Sequence, residues 1–195
     1  RDLRMSRGLG DVYKRQGKIL HLDGDKKYSE KSLRCYRSLG LEAIVKNIKE
    51  NEQVRFVKSL LERYRPDILV ITGHDGMLRG GTKYNDIYNY RNSRYFINSV
   101  MEARRWDNKG RDLVIFAGAC QSYYEAIIGA GANFASSPGR ILIDFMDPLI
   151  IAEKIATTDE SKYVTISDIE RNLRDGIKGV NGIGAMGKKK IVTKM

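Results

Sequence analysis

Beyond residue 16 the apolar positions of this chain fall into two recurring periods, and the alternation between them outlines a fold. Lys18–Leu22 is a short apolar run that predicts a buried strand, followed by a polar turn at Asp23-Gly24-Asp25. Tyr28–Leu39 has helical spacing and stops at Gly40, a residue suited to a helix C-terminus. Glu42–Val45 predicts a short strand. Gln53–Tyr64 sets Val54, Val57, Leu60, Leu61 and Tyr64 along one face of a helix, which Pro66 ends. Ile68–Thr72 is apolar throughout, the pattern of a strand covered on both faces, and so is Leu113–Ala117. Between them lie a polar segment, Gly73–Asn92, and a predicted helix over Ser93–Arg105 with Asn92 or Ser93 as its cap. Gln121–Ala130 predicts a helix ending near Gly131. Phe134–Ser136 and Arg140–Asp144 predict short extended pieces, and Pro148–Ala156 a helix with proline in its first turn.

Strands alternating with helices of this length predict an α/β fold: a three-layer sandwich with a mainly parallel sheet and helices on both faces. The opening RDLRMSRGLGDVYKRQ shows neither period and is similar to translated adapter sequence, so residues 1–16 are set aside as a leader foreign to the domain. The domain is drawn over 17–177, with a small helix expected at Ser167–Arg174. A basic Gly- and Lys-rich tail follows over 178–195.

Composition narrows the function. The net charge of +11 suggests a nucleic-acid partner until it is located. Residues 1–16 carry +3 and residues 178–195 carry +5, leaving +3 for the body, so no basic groove is indicated and no nucleic-acid partner is expected. There is no run of about 18 apolar residues and no apolar leader segment, so neither a membrane partner nor secretion is expected. Two cysteines, Cys35 and Cys120, make no disulfide scaffold and leave each thiol free. Two histidines, His21 and His74, exclude a His-rich metal site, and no metal or other cofactor is expected.

Chemistry gathers at two strand ends. In open parallel sheets, functional groups collect at the carboxyl edge. Ile68–Thr72 runs into Gly73-His74-Asp75-Gly76, and Leu113–Ala117 runs into Gly118-Ala119-Cys120. Neighbouring parallel strands would bring an imidazole and a thiol to one edge. A free thiol titrates near 8.5, and a cationic imidazole or a helix N-terminus beside it favours the nucleophilic thiolate. The predicted helix from Gln121 would supply the second of these to Cys120. His74 then serves as acid and base, and the backbone amides of Gly73, Asp75 and Gly76, with that of Cys120, are candidate oxyanion donors. Ser136 and Asp144 end later segments at the same edge and are candidates for a specificity pocket. An acid at Asp144 or Asp75 is suited to an Arg or Lys side chain. Asn89 and Arg91, in the long loop after His74, are candidate substrate contacts or a solvated cap. Asp23 and Asp25 are expected to cap a turn, and Cys35 sits on the apolar face of a helix.

The His-then-Cys order resembles the caspase–legumain–gingipain clan of cysteine peptidases. The 46-residue separation is close to the roughly 50 of caspases. Ala119-Cys120 matches that pattern, while His74-Asp75-Gly76 departs from His-Gly by one residue. The strings GKILHLDGD (17–25), PDILVITGHDG (66–76), YNYRNSRYF (88–96) and LVIFAGACQSYYEAIIGAGANFASSP (113–138) are similar to the YabG family of sporulation-specific peptidases. That resemblance implies a caspase-like fold and a cysteine endopeptidase with Cys120 as nucleophile and His74 as its partner. It further implies processing of spore coat and cortex-related precursor proteins in the cytoplasm of the mother cell or in the spore coat.

Two other classes compete. A receiver-like, partner-binding module without catalysis is suggested by Leu22–Asp25 and Pro66–Val70. However, Thr72 stands where a phospho-acceptor would, and no lysine closely follows Leu113–Ala117. A glutamine amidotransferase-like hydrolase would take its histidine after the cysteine, and here both histidines precede Cys120.

Overall fold

A computed structural model of the chain describes residues 11–78, 83–108, 110 and 112–194. Ten strands and five α-helices follow in the order β1 Asp11–Arg15, β2 Ile19–Asp23, α1 Lys26–Ser38, β3 Ala43–Asn47, α2 Gln53–Tyr64, β4 Ile68–Thr72, α3 Ser93–Trp106, β5 Val114–Ala117, α4 Tyr124–Ala130, β6 Phe134–Ser136, α5 Met146–Thr157, β7 Tyr163–Val164, β8 Val180–Gly182, β9 Ala185–Met186 and β10 Lys190–Lys194. The central sheet has the order β3-β2-β4-β5-β6-β8. Its first five strands are parallel and β8 closes it antiparallel.

The apolar strands are apolar because both of their faces are buried. Along β4, Ile68 and Val70 join one core while Leu69 and Ile71 join the other; in β5, Val114 and Phe116 part from Ile115 and Ala117 in the same way. The first core is closed by Tyr36 of α1 and by Leu149, Ala152 and Ile155 of α5. The second is closed by Val57 and Leu61 of α2, Phe96 and Val100 of α3 and Ile127 of α4. This is the three-layer α/β arrangement with a mainly parallel sheet that the periodicity predicts. Each such side chain contributes roughly 1.5–3 kcal/mol by leaving water.

The chain departs from the sequence reading in four places. Helix α4 begins at Tyr124 rather than Gln121, because Gln121 is left-handed (φ 56°) and breaks the helical path. Arg140–Asp144 pairs with no strand. The stretch expected as a helix at Ser167–Arg174 forms short 3₁₀ turns, Ile166–Asp168 and Glu170–Asn172. Residues 11–15, grouped with the leader, pair antiparallel with β10, and residues 180–182 of the tail supply the sixth strand of the sheet. The folded unit thus reaches past 17–177 on both sides. Residues 1–10 of the leader lie outside the described residues.

One polar chain crosses the first core. His21, in the middle of β2 and 1% exposed, has Nδ1 2.8 Å from the Tyr36 hydroxyl and Nε2 2.6 Å from Thr72 Oγ1. Thr72 gives its single hydroxyl proton to Asp23 Oδ2 (2.7 Å), so His21 must donate from Nε2 and accept from Tyr36 at Nδ1. His21 is therefore a neutral imidazole with both nitrogens satisfied, and burial lowers its pKa to about 3. The unfolded chain protonates it near 6.5. The stability contributed by neutral His21 is complete above that value and is lost as the pH falls towards 3, at about 1.4 kcal/mol per pH unit. Urea unfolding followed from about pH 5.5 to about pH 4 should show this slope, and His21→Gln should be shallower by that amount. Equal slopes in the two proteins would contradict the assignment.

Candidate active site

The order of the sheet decides what meets at its carboxyl edge. After β2 the chain steps outward to β3, then returns to place β4 on the other side of β2. This reversal opens the crevice in which parallel sheets present ligand-binding groups. β4 and β5 are direct neighbours, so the segments after Thr72 and after Ala117 leave the sheet side by side. His74 and Cys120 border one cleft of about 160 Å³, together with Gly73, Ser136 and Asp144. Tyr28, Ile143, Phe145 and Pro148 form its apolar wall, and the His21–Thr72–Asp23 chain comes up beneath it.

His74 is held from several sides. Its N–H donates to Glu50 Oε2 (2.7 Å) and its carbonyl accepts from Asn92 Nδ2 (2.7 Å). Its ring Nε2 lies 2.7 Å from Asp25 Oδ2, and the Tyr28 ring meets it edge-on at 6.5 Å. Glu50 reaches His74 by passing between Gly24 and Gly73, where a Cβ at either position would overlap its carboxylate. Those two glycines are required by that close approach.

Cys120 follows β5 in a turn rather than at a helix N-terminus. With α4 starting at Tyr124, the helix dipole expected beside the thiol is three residues further on. The left-handed Gln121 turns the chain there, at a cost of about 1–2 kcal/mol, and two bonds offset it. Gln121 N–H donates to the Ile141 carbonyl (3.0 Å), and its side-chain Oε1 accepts from Met77 N–H (3.2 Å). The sulfur of Cys120 accepts from Ile143 N–H at 3.2 Å. The irregular 137–145 segment that carries Ile143 is anchored by Arg140. Its largely buried guanidinium donates to the Tyr90 hydroxyl (2.8 Å) and Glu125 (2.6 Å), between the rings of Tyr84, Tyr90 and Tyr123.

The carboxylate of Asp75 ties the two segments together. Oδ1 accepts from the Gly76 and Asn92 amides (both 2.8 Å), and Oδ2 accepts from the hydroxyls of Ser93 (2.5 Å) and Ser122 (2.8 Å). Ser122 Oγ in turn accepts from Ala119 N–H (2.9 Å), and Ser93 Oγ from Tyr123 N–H (2.9 Å). With four donors on it, this carboxylate has no place for a substrate's basic side chain. Of the two acids considered for that role, Asp144 is the one that borders the cleft. Asp144 Oδ1 accepts from Met146 N–H (2.8 Å), and Oδ2 lies 3.9 Å from Arg174. Ser136 is fully buried, and its hydroxyl has no hydrogen-bond partner among the described residues. Asn89 donates to the Lys83 carbonyl, and neither it nor Arg91 borders the cleft. Cys35 contacts Met146 Sδ (3.3 Å) against the first core and does not border the cleft.

These features sit in a known framework. The family described as YabG peptidase U57 matches residues 4–193. The chain belongs to the YabG peptidase family. It is 42% identical over 175 residues to the sporulation-specific protease YabG of Bacillus subtilis (strain 168), an alignment covering 90% of this chain and 60% of that protein. This YabG-family chain thus spans about 60% of the length of the curated relative. No helix of the described residues is long and apolar enough to cross a membrane.

Sequence reasoning placed the two strand ends but missed what surrounds them. Asp25 caps α1, accepting from Tyr28 N–H (2.9 Å), as its place after the turn predicts; its reach to His74 has no local signal. Glu50 and Ser122 likewise leave no periodicity to find, although an acid directly after His74 and a serine two residues after Cys120 are a spacing that a search for paired loops could use. In the YabG-family chain, Asp75→Ala should lower unfolding free energy by about 3–5 kcal/mol in urea titration, because it strands several donors at once. Ser122→Ala removes one of the four and should cost about 1–2 kcal/mol. Near-equal losses would show that Asp75 is not the common acceptor.

Proposed function

We propose that the chain is a cysteine endopeptidase in which Cys120 is the nucleophile and His74 the acid and base. The observation that carries this reading is that the two side chains leave adjacent parallel strands and border one cleft. His74 takes the proton of the Cys120 thiol, the sulfur attacks the scissile carbonyl carbon, and a C–S bond forms as the oxygen takes up negative charge. The C–N bond then breaks, the amine departs with a proton from His74, and a thioester remains. Water adds to the thioester carbon, gives a proton back to His74 and displaces the sulfur as the acid product leaves. Within Gly73–Gly76 the His74 amide is spent on Glu50 and the Gly76 amide on Asp75, and Gly73 borders the cleft whereas Asp75 does not, so the Gly73 amide, with that of Cys120, is the better oxyanion donor pair. Asp144 and the free hydroxyl of Ser136 supply the polar side of the pocket, suited to a basic side chain.

The family supports peptidase chemistry over the receiver-like alternative, and so does Thr72, whose hydroxyl is buried between His21 and Asp23 rather than offered at the edge. The order of His74 and Cys120 on neighbouring strands supports kinship with caspase-like folds. The name of the Bacillus relative supports a role in sporulation, and the resemblance in the sequence supports spore coat and cortex-related precursors as substrates, met in the mother-cell cytoplasm or in the spore coat. Cys120→Ala and His74→Ala should abolish cleavage of a recombinant coat-protein precursor while leaving the melting temperature near that of the parent. Iodoacetamide should label Cys120 in preference to Cys35. Cleavage that persists in Cys120→Ala would refute the proposal.

A further inference from the structure

Resting on that reading, we propose that Asp25 is the positioning residue for His74: its carboxylate holds the Nε2–H, fixing ring orientation and tautomer so that Nδ1 is the nitrogen left to serve the thiol. The contact is short, 2.7 Å between Asp25 Oδ2 and His74 Nε2, and it joins the end of β2 to the end of β4 across the crevice. A carboxylate accepts but does not donate, so a neutral imidazole paired with it carries its proton on Nε2 and its lone pair on Nδ1. Among the described residues no group is bonded to Nδ1. The proton taken from the thiol, and later given to the leaving amine, therefore travels through that atom, and the imidazolium formed in between faces a fixed negative charge.

A positioning residue must itself be immobile, and Asp25 is. Its other oxygen caps α1 through Tyr28 N–H (2.9 Å), and its own N–H donates to Asp23 Oδ1 (2.7 Å). Asp23 is in turn bound by Thr72, the last residue of β4. The Tyr28 amide first, and His74 second, hold the Asp25 carboxyl below the usual range, so it is ionised at neutral pH. The backbone of His74 is clamped independently by Glu50 and Asn92, which leaves the ring torsions as the freedom that Asp25 removes. Asp25 lies behind His74 and does not border the cleft, so its removal should act on kcat and leave KM unchanged.

The helix cap and the imidazole contact can be separated, because Ser and Asn cap helices as well as Asp does, whereas Ala does not. Asp25→Ser and Asp25→Asn should keep the parent's melting temperature yet lose kcat by about 100-fold on a coat-protein precursor, with KM unchanged. Asp25→Ala should lose both kcat and some thermal stability. The chain has only two histidines, so long-range proton–nitrogen NMR of the imidazoles, with His74→Gln for assignment, reads the tautomer directly. The parent should show His74 as the Nε2–H form. Asp25→Asn, which can turn an amide N–H towards Nε2, should shift it towards Nδ1–H. An unchanged tautomer or an unchanged kcat in Asp25→Asn overturns the proposal. If turnover persists in Cys120→Ala, the peptidase reading fails and this role for Asp25 fails with it. Turnover lost in Cys120→Ala but intact in Asp25→Asn removes the Asp25 proposal alone.

Discussion

A parallel sheet delivers its strand ends to one edge, but it does not fix the loops that follow, and loops are where the reactive groups of this protein lie. The constraint that fixes them is the Asp75 carboxylate. It accepts from the residue after it, from the start of α3 at Asn92 and Ser93, and from Ser122 beyond Cys120. Three chain segments far apart in sequence are thereby referred to one pair of oxygens. Hydrogen bonds to a charged acceptor are worth about 1.5–3 kcal/mol each, more than the left-handed turn at Gln121 costs, so the strained turn beside Cys120 can persist. The Arg140 cluster does the same for the segment on the far side of the thiol, using an ion pair and three aromatic rings.

The two polar systems at this edge differ in what they do with charge. The His21–Thr72–Asp23 chain is buried, and burial there opposes ionisation: it lowers the imidazole and raises the Asp23 carboxyl. The Asp25–His74 pair lies nearer the solvent, with the imidazole more than half exposed and bordering the cleft and Asp25 behind it. One histidine is thus held neutral as part of the core, and the other presents its ring at a surface that a polypeptide can reach.

The sequence announced whatever is repeated or local. β2, β4 and β5 could be read because both of their faces are buried, which makes an uninterrupted apolar run, and α2 because a single face is buried, which makes a helical period. His74 and Cys120 were visible because each follows such a run directly. The contacts that organise the site join residues far apart in the chain, as Asp25 and His74 are, and no pattern in either neighbourhood reports the other. Helix α4 is three residues shorter than its pattern predicts, because helix propensity continues through Gln121-Ser122-Tyr123 while the pull of Ile141 and Met77 on Gln121 overrides it. Short strands such as β7, β8 and β9 carry too few residues to show a period at all. The charge count, which set the basic ends apart from the body, gave no hint that 11–15 and 190–194 would pair.

That pairing has a topological consequence. Asp11 lies opposite Lys194, and β10 is drawn to the start of β4 by Lys190, whose ammonium is 3.5 Å from Asp67. Asp67 and His74 sit at opposite ends of a five-residue strand roughly 17 Å long. The Arg15–Lys190 end of this pair therefore lies by the start of β4, on the side of the sheet away from the cleft. Whatever strengthens or loosens the grip of β1 on β10 thus reaches the sheet from the edge opposite the one where His74 and Cys120 lie.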